Sequence, residues 1–173
     1  MSLEWNTTIL IEAESFDDTG EWVIDQQSMD QMGSPFLLAH GMGVPVADAE
    51  TMVDISFAGR YSVWVRTRNW TAPWTAAEGP GRFQLLFNDI PLKTTFGIEQ
   101  AEWHWQYGGT VFLEPGMIKL ALHDLTGFDG RCDAIVLTTD EKFIPAAKGE
   151  ALKQFRRLAS GVPVEPVKAG DFD

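Results

Sequence analysis

The sequence contains a single cysteine, Cys132, so no disulfide bond can form within the chain. Basic residues are also few, since 13 Lys and Arg stand against 25 Asp and Glu and give a net charge of −12. Nucleic acids and anionic membranes are bound through clustered basic side chains, so neither is a predicted partner. No apolar run approaches the roughly 20 residues of a transmembrane helix, which predicts a soluble protein.

What the sequence does contain is enough apolar material for one core, with 173 residues, 45% hydrophobic residues and seven Trp. The composition changes after Asp140, which predicts a domain over residues 4–140. Residues 141–173 are predicted to form a short helix over 145–158, with Leu152, Phe155 and Leu158 on one face, and a linker to a further domain.

The first 140 residues read as short strands separated by turns, with no helical period, which predicts an all-β sandwich. Residues 52–57 and 61–68 alternate on either side of Ala58-Gly59 and are expected to form a hairpin. A second hairpin is expected from residues 110–113 and 117–123, and residues 43–46 are a further strand candidate.

Three carboxylates stand at the ends of apolar strands near the two ends of this domain. Glu12 and Glu14 lie in the first strand and its continuation, and Asp133 precedes the last strand. If these strands are neighbours, the three side chains meet, and like charges that close call for a cation. The alternative is that the carboxylates accept loop amides or pair with Arg131.

A group of aromatic and polar residues is a candidate sugar-binding mouth, because indole rings stack on sugars while polar groups bind hydroxyls. Trp103, which shares a face with Trp105, is either a platform or core. Arg66, Arg68 and Arg131 either contact a sugar or neutralise an acidic rim. His123 and Asp124 are adjacent and point to opposite faces of a strand, so no catalytic residue is predicted. The predicted ligand-binding residues are Trp70, Trp74, Trp103, His123, Asp124, Phe128 and Arg131.

The segments IEAES, FAGRYSVWVRTRN and GRCDAIVLTTD resemble those of galactose-binding-like jelly rolls, the β-sandwiches of many carbohydrate-binding modules. The resemblance covers about residues 9–140. It implies a jelly-roll β-sandwich that binds carbohydrate without catalysis and holds a structural calcium at Glu12, Glu14 and Asp133. It also favours a secreted or periplasmic location, which cysteine usage leaves open.

A second similarity is to the N-terminal sandwich domain of bacterial FAD-dependent oxidoreductases, carried by WVRTRNW and HDLTGFDGRCDAI. It implies the alternative function of an accessory domain that packs on an attached oxidoreductase domain. The chain has no G-x-G-x-x-G motif, so no flavin site is predicted within it.

Overall fold

A computed structural model describes residues 7–26, 35–70 and 80–146. Within them the chain forms ten β-strands and one turn of 3-10 helix, Ala13–Ser15. The strands are β1 (Thr8–Glu12), β2 (Val23–Asp25), β3 (Phe36–His40), β4 (Ala49–Ile55), β5 (Gly59–Thr67), β6 (Phe83–Phe87), β7 (Ile90–Pro91), β8 (His104–Leu113), β9 (Gly116–Asp124) and β10 (Phe128–Thr138).

Two antiparallel sheets make up the sandwich. The larger has the order β2-β3-β10-β5-β8, and the smaller has the order β4-β9-β6-β7. Strand β10 is long enough to have two successive neighbours on one side, because its first half pairs with β3 and its second half pairs with β1. The predicted pairing of the first and last strands is confirmed, with Glu12 opposite Ala134.

The core lies between the sheets and is built by alternation along the strands. On β5 the side chains of Tyr61, Val63 and Val65 point inward, as the sequence pattern predicts. They meet inward side chains of the facing strands β6 and β9: Phe83, Leu85, Phe87, Leu120 and Leu122. Ile135 and Leu137 of the neighbouring strand β10 point into the same core. The all-β jelly-roll fold class is therefore confirmed.

Both predicted hairpins are wrong. Strand β4 pairs with β9 in the small sheet, whereas β5 pairs with β10 and β8 in the large sheet. Strands β8 and β9 are likewise divided between the sheets. Each tight connection crosses from one sheet to the other, so the two alternating patterns face each other across the core. Residues 43–46 form no strand and belong to the connection between β3 and β4.

After β10 the chain crosses the outer face of the large sheet. Phe143 packs on Trp64 and Trp105 there, and the Trp105 Nε1 donates a hydrogen bond of 2.9 Å to the Ala146 carbonyl. From residue 147 onward the predicted helix and linker lie outside the described residues. No helix in the described ranges is both long enough and apolar enough to cross a membrane.

Candidate functional site

The three predicted metal ligands meet beside the middle of β10. Glu12 ends β1, Glu14 lies in the 3-10 turn that follows, and Asp133 stands where the neighbour of β10 changes from β3 to β1. One carboxylate oxygen from each residue lies within 4.8 Å of the other two. Two oxygens on opposite sides of a calcium ion at about 2.4 Å are separated by about this distance. The donor set and its spacing therefore fit one calcium ion.

Arg66 supplies positive charge to this cluster. Its Nε lies 3.3 Å from the Asp133 Oδ2, and both side chains are almost completely buried. One guanidinium against three carboxylates leaves a formal charge of −2, which matches a divalent cation. Burial raises the pKa of the adjacent Cys132 thiol well above its ordinary value, and the charges of Asp133, Glu14 and Glu12 raise it further. Cys132 is therefore a protonated core residue and not a nucleophile.

A second cluster forms at the end of the sandwich where β5 ends and β10 begins. Trp70 follows β5, and its Nε1 donates a hydrogen bond of 3.0 Å to the carbonyl of Phe128, the first residue of β10. The guanidinium carbon of Arg131 lies 5.4 Å from the centre of the Trp70 ring, a cation–π contact. Thr126 also donates a hydrogen bond to the Pro80 carbonyl, so the two predicted loops do meet.

Apolar side chains are exposed around this second cluster. Phe128 is 49% exposed, and the loop after β3 adds Met42 at 83% and Val44 at 68%. A Cβ atom built on Gly43 would lie 3.3 Å from the Phe128 ring, so this loop passes directly beside that ring. An exposed aromatic and aliphatic surface at the mouth of a sandwich is typical of a binding site.

Two arginines at this end, Arg68 and Arg131, form no direct ion pair among the described residues. Burial lowers the pKa of the Arg131 guanidinium and repulsion from Arg68 lowers it further, whereas Asp129 and Asp25 raise it. Neither Arg68 nor Arg131 forms an ion pair within the described ranges. In a protein of net charge −12, two neighbouring arginines that form no direct ion pair within the described ranges are available to an external anion.

Other predicted ligand-binding residues lie in different surroundings. Asp124 is 1% exposed, and its carboxylate accepts hydrogen bonds from three backbone amides in the loops at 2.9–3.2 Å. His123 bonds Asp48 at 2.8 Å and not Asp124. The Trp103 ring packs on Phe36, with ring centres 4.9 Å apart.

Trp74 lies outside the described residues. The structure therefore brings together Trp70, Phe128 and Arg131.

Two residues at this end, His40 and Asp129, were not among the predicted ligand-binding residues. The His40 Nδ1 lies 2.6 Å from the Asp129 Oδ1. Asp129 has a φ of 61°, in the left-handed region. The Asp129-Gly130 dipeptide is a turn signal that could have drawn attention to the bend. Nothing in the sequence links this dipeptide to His40.

No protein-family model matches the sequence, and the comparison with curated proteins also finds no match. Similar solved structures include a family 35 carbohydrate-binding module from Clostridium thermocellum, with a TM-score of 0.58 and 16% identity over 76% of this chain and 97% of that one. The C-terminal family 6 module of a marine laminarinase from Zobellia galactanivorans has a TM-score of 0.56 and 18% identity, covering 76% of this chain and 99% of that one.

A larger protein with a similar domain is the GH26-CBM35 β-(1,4)-mannanase of Podospora anserina, with a TM-score of 0.59 and 17% identity over 80% of this chain. The chain spans 29% of the length of that mannanase. At these identities the likeness shows the fold, which is the jelly-roll sandwich of carbohydrate-binding modules.

Proposed function

We propose that the chain is a noncatalytic carbohydrate-binding module whose ligand contacts Trp70, Phe128 and Arg131. The observation that carries the proposal is the Trp70 ring, fixed by a hydrogen bond to the Phe128 carbonyl on one side and by the Arg131 guanidinium on the other. A fixed aromatic ring offers a stacking surface at little further entropic cost, and the exposed Phe128 ring extends that surface. The fold shared with carbohydrate-binding modules supports the same proposal.

The preferred sugar in this proposal carries an anionic group. Arg68 and Arg131 lie close enough for each to affect the other electrostatically, and neither forms an ion pair within the described residues. A guanidinium binds a carboxylate through two parallel hydrogen bonds, which are about twice as strong as neutral ones. A uronic acid combines such a carboxylate with a ring face that stacks on Trp70.

The direct test is binding of sugars by the purified chain, first on a glycan array and then by calorimetry. Trp70→Ala is expected to lower affinity by more than about thirtyfold, because a central aromatic contact contributes about 2 kcal/mol or more. Phe112→Ala is a matched control, since Phe112 is 58% exposed near the end of β8, at the opposite end of the sandwich. If no sugar binds, or if both variants bind like the parent chain, the proposal is wrong.

A structural calcium at Glu12, Glu14 and Asp133 forms the second part of the proposal. Its support is the donor set of three carboxylates, their spacing within 4.8 Å and the residual charge beside Arg66. In this proposal, calcium neutralises the buried negative charge and links the end of β1 to β10 through their carboxylates.

The alternative function, an accessory domain attached to an FAD-dependent oxidoreductase, would require a surface on which another domain can pack. A groove of about 420 Å³ lies on the outer face of the large sheet, between Trp64, Tyr107, Phe143 and Ile144. Tyr107 and Ile144 are exposed there, as contact with another domain would require. Tight binding of the chain to a separately made oxidoreductase domain, without sugar binding, would favour this alternative.

A further inference from the structure

The bend at the start of β10 has a conformation that its residue does not prefer. Asp129 has a φ of 61°, and the pairing of β10 with β3 shifts register between Phe128 and Gly130. Left-handed backbone brings the Cβ atom of an L-residue close to the following carbonyl oxygen. Asp and Asn tolerate this region better than most side chains, yet the conformation still needs support from its surroundings.

His40 provides that support from the neighbouring strand. It is the last residue of β3, its Cα lies opposite that of Phe128, and its Nδ1 lies 2.6 Å from the Asp129 Oδ1. This is the hydrogen bond that the described residues provide for the Asp129 carboxylate. More than half of the His40 side chain is exposed, so this side chain contributes little to the packing of the core.

The bend lies between the two contacts that hold Trp70. The carbonyl of Phe128 and the amide of Asp129 belong to one peptide plane, which accepts the Trp70 Nε1 hydrogen bond of 3.0 Å. Arg131, which covers the ring at 5.4 Å, is two residues further along. The φ angle of Asp129 is the rotation that orients this peptide plane relative to Arg131.

We propose that His40 and Asp129 are positioning residues of the sugar-binding surface. Their hydrogen bond holds the left-handed bend, which directs the Phe128 carbonyl toward Trp70 while keeping Arg131 over the ring. Neither residue needs to contact the sugar. The expected effect of these residues on sugar binding rests on the function proposed above, whereas their expected effect on the position of the Trp70 ring does not.

The first experiment follows the Trp70 indole N–H by NMR in the full chain without sugar. Asp129→Ala and His40→Ala are each expected to speed its hydrogen exchange by about tenfold, the effect of losing one ordinary hydrogen bond. The double variant should exchange no faster than either single variant, since both remove the same interaction. An unchanged exchange rate in both single variants would overturn the proposal.

Asp89→Ala is the matched control. Asp89 is also a left-handed aspartate, with a φ of 69°, and its carboxylate pairs with the Lys119 Nζ at 2.5 Å in the turn between β6 and β7. This turn lies at the opposite end of β6 from Trp70. The control removes the same kind of pair and should leave the Trp70 indole unchanged. If Asp89→Ala speeds the exchange of the Trp70 indole equally, the faster exchange reflects a general loss of stability, and the proposal is wrong.

The second experiment measures glucuronate binding by the same variants. Asp129→Ala and His40→Ala should weaken binding about tenfold, through the loss of a fixed ring, and Asp89→Ala should not. Asp129→Asn keeps a side chain that tolerates the bend and bonds His40, so it should restore most of the affinity. If Asp129→Asn binds glucuronate as weakly as Asp129→Ala, the loss of affinity comes from the missing negative charge beside Arg131 and not from the position of the ring, and the proposal is wrong. If the parent chain binds no sugar, the proposed function is wrong. The hydrogen exchange of the indole N–H then tests by itself whether His40 and Asp129 position Trp70.

Discussion

Asp133 and Arg131 stand two residues apart on β10, yet they belong to clusters with opposite properties. Asp133 is fully buried, pairs with Arg66 and adjoins two further carboxylates. Arg131 is partly exposed, lies over an aromatic ring and forms no ion pair within the described residues. A buried charge must be compensated within the fold, by a side chain or a bound ion, whereas a charge at the surface remains available to a ligand. Changes in the first cluster should therefore affect stability, and changes in the second should affect binding.

The largest effect is expected from Asp133→Ala. The substitution breaks the buried ion pair between Asp133 and Arg66 and leaves the space of the carboxylate empty, which is expected to cost about 3–5 kcal/mol of unfolding free energy. Urea denaturation should show this loss, while Arg131→Gln should change the unfolding free energy by no more than about 1 kcal/mol. Equal losses from the two substitutions would remove the distinction between the clusters.

Calcium should stabilise the folded chain by a smaller amount. An ion that binds only the folded state contributes about 2.7 kcal/mol at one hundred times its Kd. Added calcium should raise the melting temperature and EDTA should reverse the increase. The double variant Glu12→Gln, Glu14→Gln should not respond. Magnesium is a control, because it requires shorter bonds and a stricter octahedron. A melting temperature that is the same with calcium and EDTA, with no metal in elemental analysis, would leave a hydrogen-bonded acid cluster instead.

Arg131→Gln should separate anionic from neutral sugars. Loss of the contact that fixes the Trp70 ring should weaken binding of both sugars. Loss of a charged hydrogen bond to the ligand should lower the affinity for glucuronate about tenfold more than that for glucose, which lacks the carboxylate. Calorimetry with both sugars measures the difference, and Lys93→Gln serves as a control for net charge. Equal losses for the two sugars would mean that the ligand carboxylate does not contact Arg131.

The smallest effect concerns Asp17, whose pKa is lowered from 3.8 by hydrogen bonds from the Met52 amide and the Thr51 hydroxyl. A carboxyl whose pKa is lower in the folded state stabilises the protein above its unfolded pKa, near 3.8. That contribution is lost as the pH falls through the lower folded value. Asp17→Asn should therefore flatten the fall in stability below about pH 4, as measured by denaturation at several pH values. An identical pH profile for parent and variant would contradict this assignment.

The acid cluster was predictable because its parts lie at strand ends and the sandwich fold brings chain ends together. Glu12 and Asp133 each adjoin an apolar run, and β1 does pair with β10. The meeting of Trp70 with the loop before β10 also followed from loop positions. The contact between Trp70 and the Phe128 carbonyl did not, because hydrogen bonds to backbone groups leave no trace in the side-chain pattern.

The hairpin predictions failed for a physical reason. Alternation along β4 and β5 specifies which side chains are buried, and it is satisfied equally by two paired strands and by two strands that face each other across a core. A tight turn after residue 55 does not distinguish these arrangements. The choice depends on β9, β10 and β8, which supply the hydrogen-bonding partners much later in the chain.

The sequence alone determined the class of fold, the inward side chains and the acidic character of the sandwich, because burial follows from local alternation and composition. Only the tertiary structure decided which strands share a sheet and which charges lack a partner. It also brought His40 and Asp129, 89 residues apart, within hydrogen-bond distance of each other. These features depend on contacts between distant strands, and a local pattern carries no information about the distance between them.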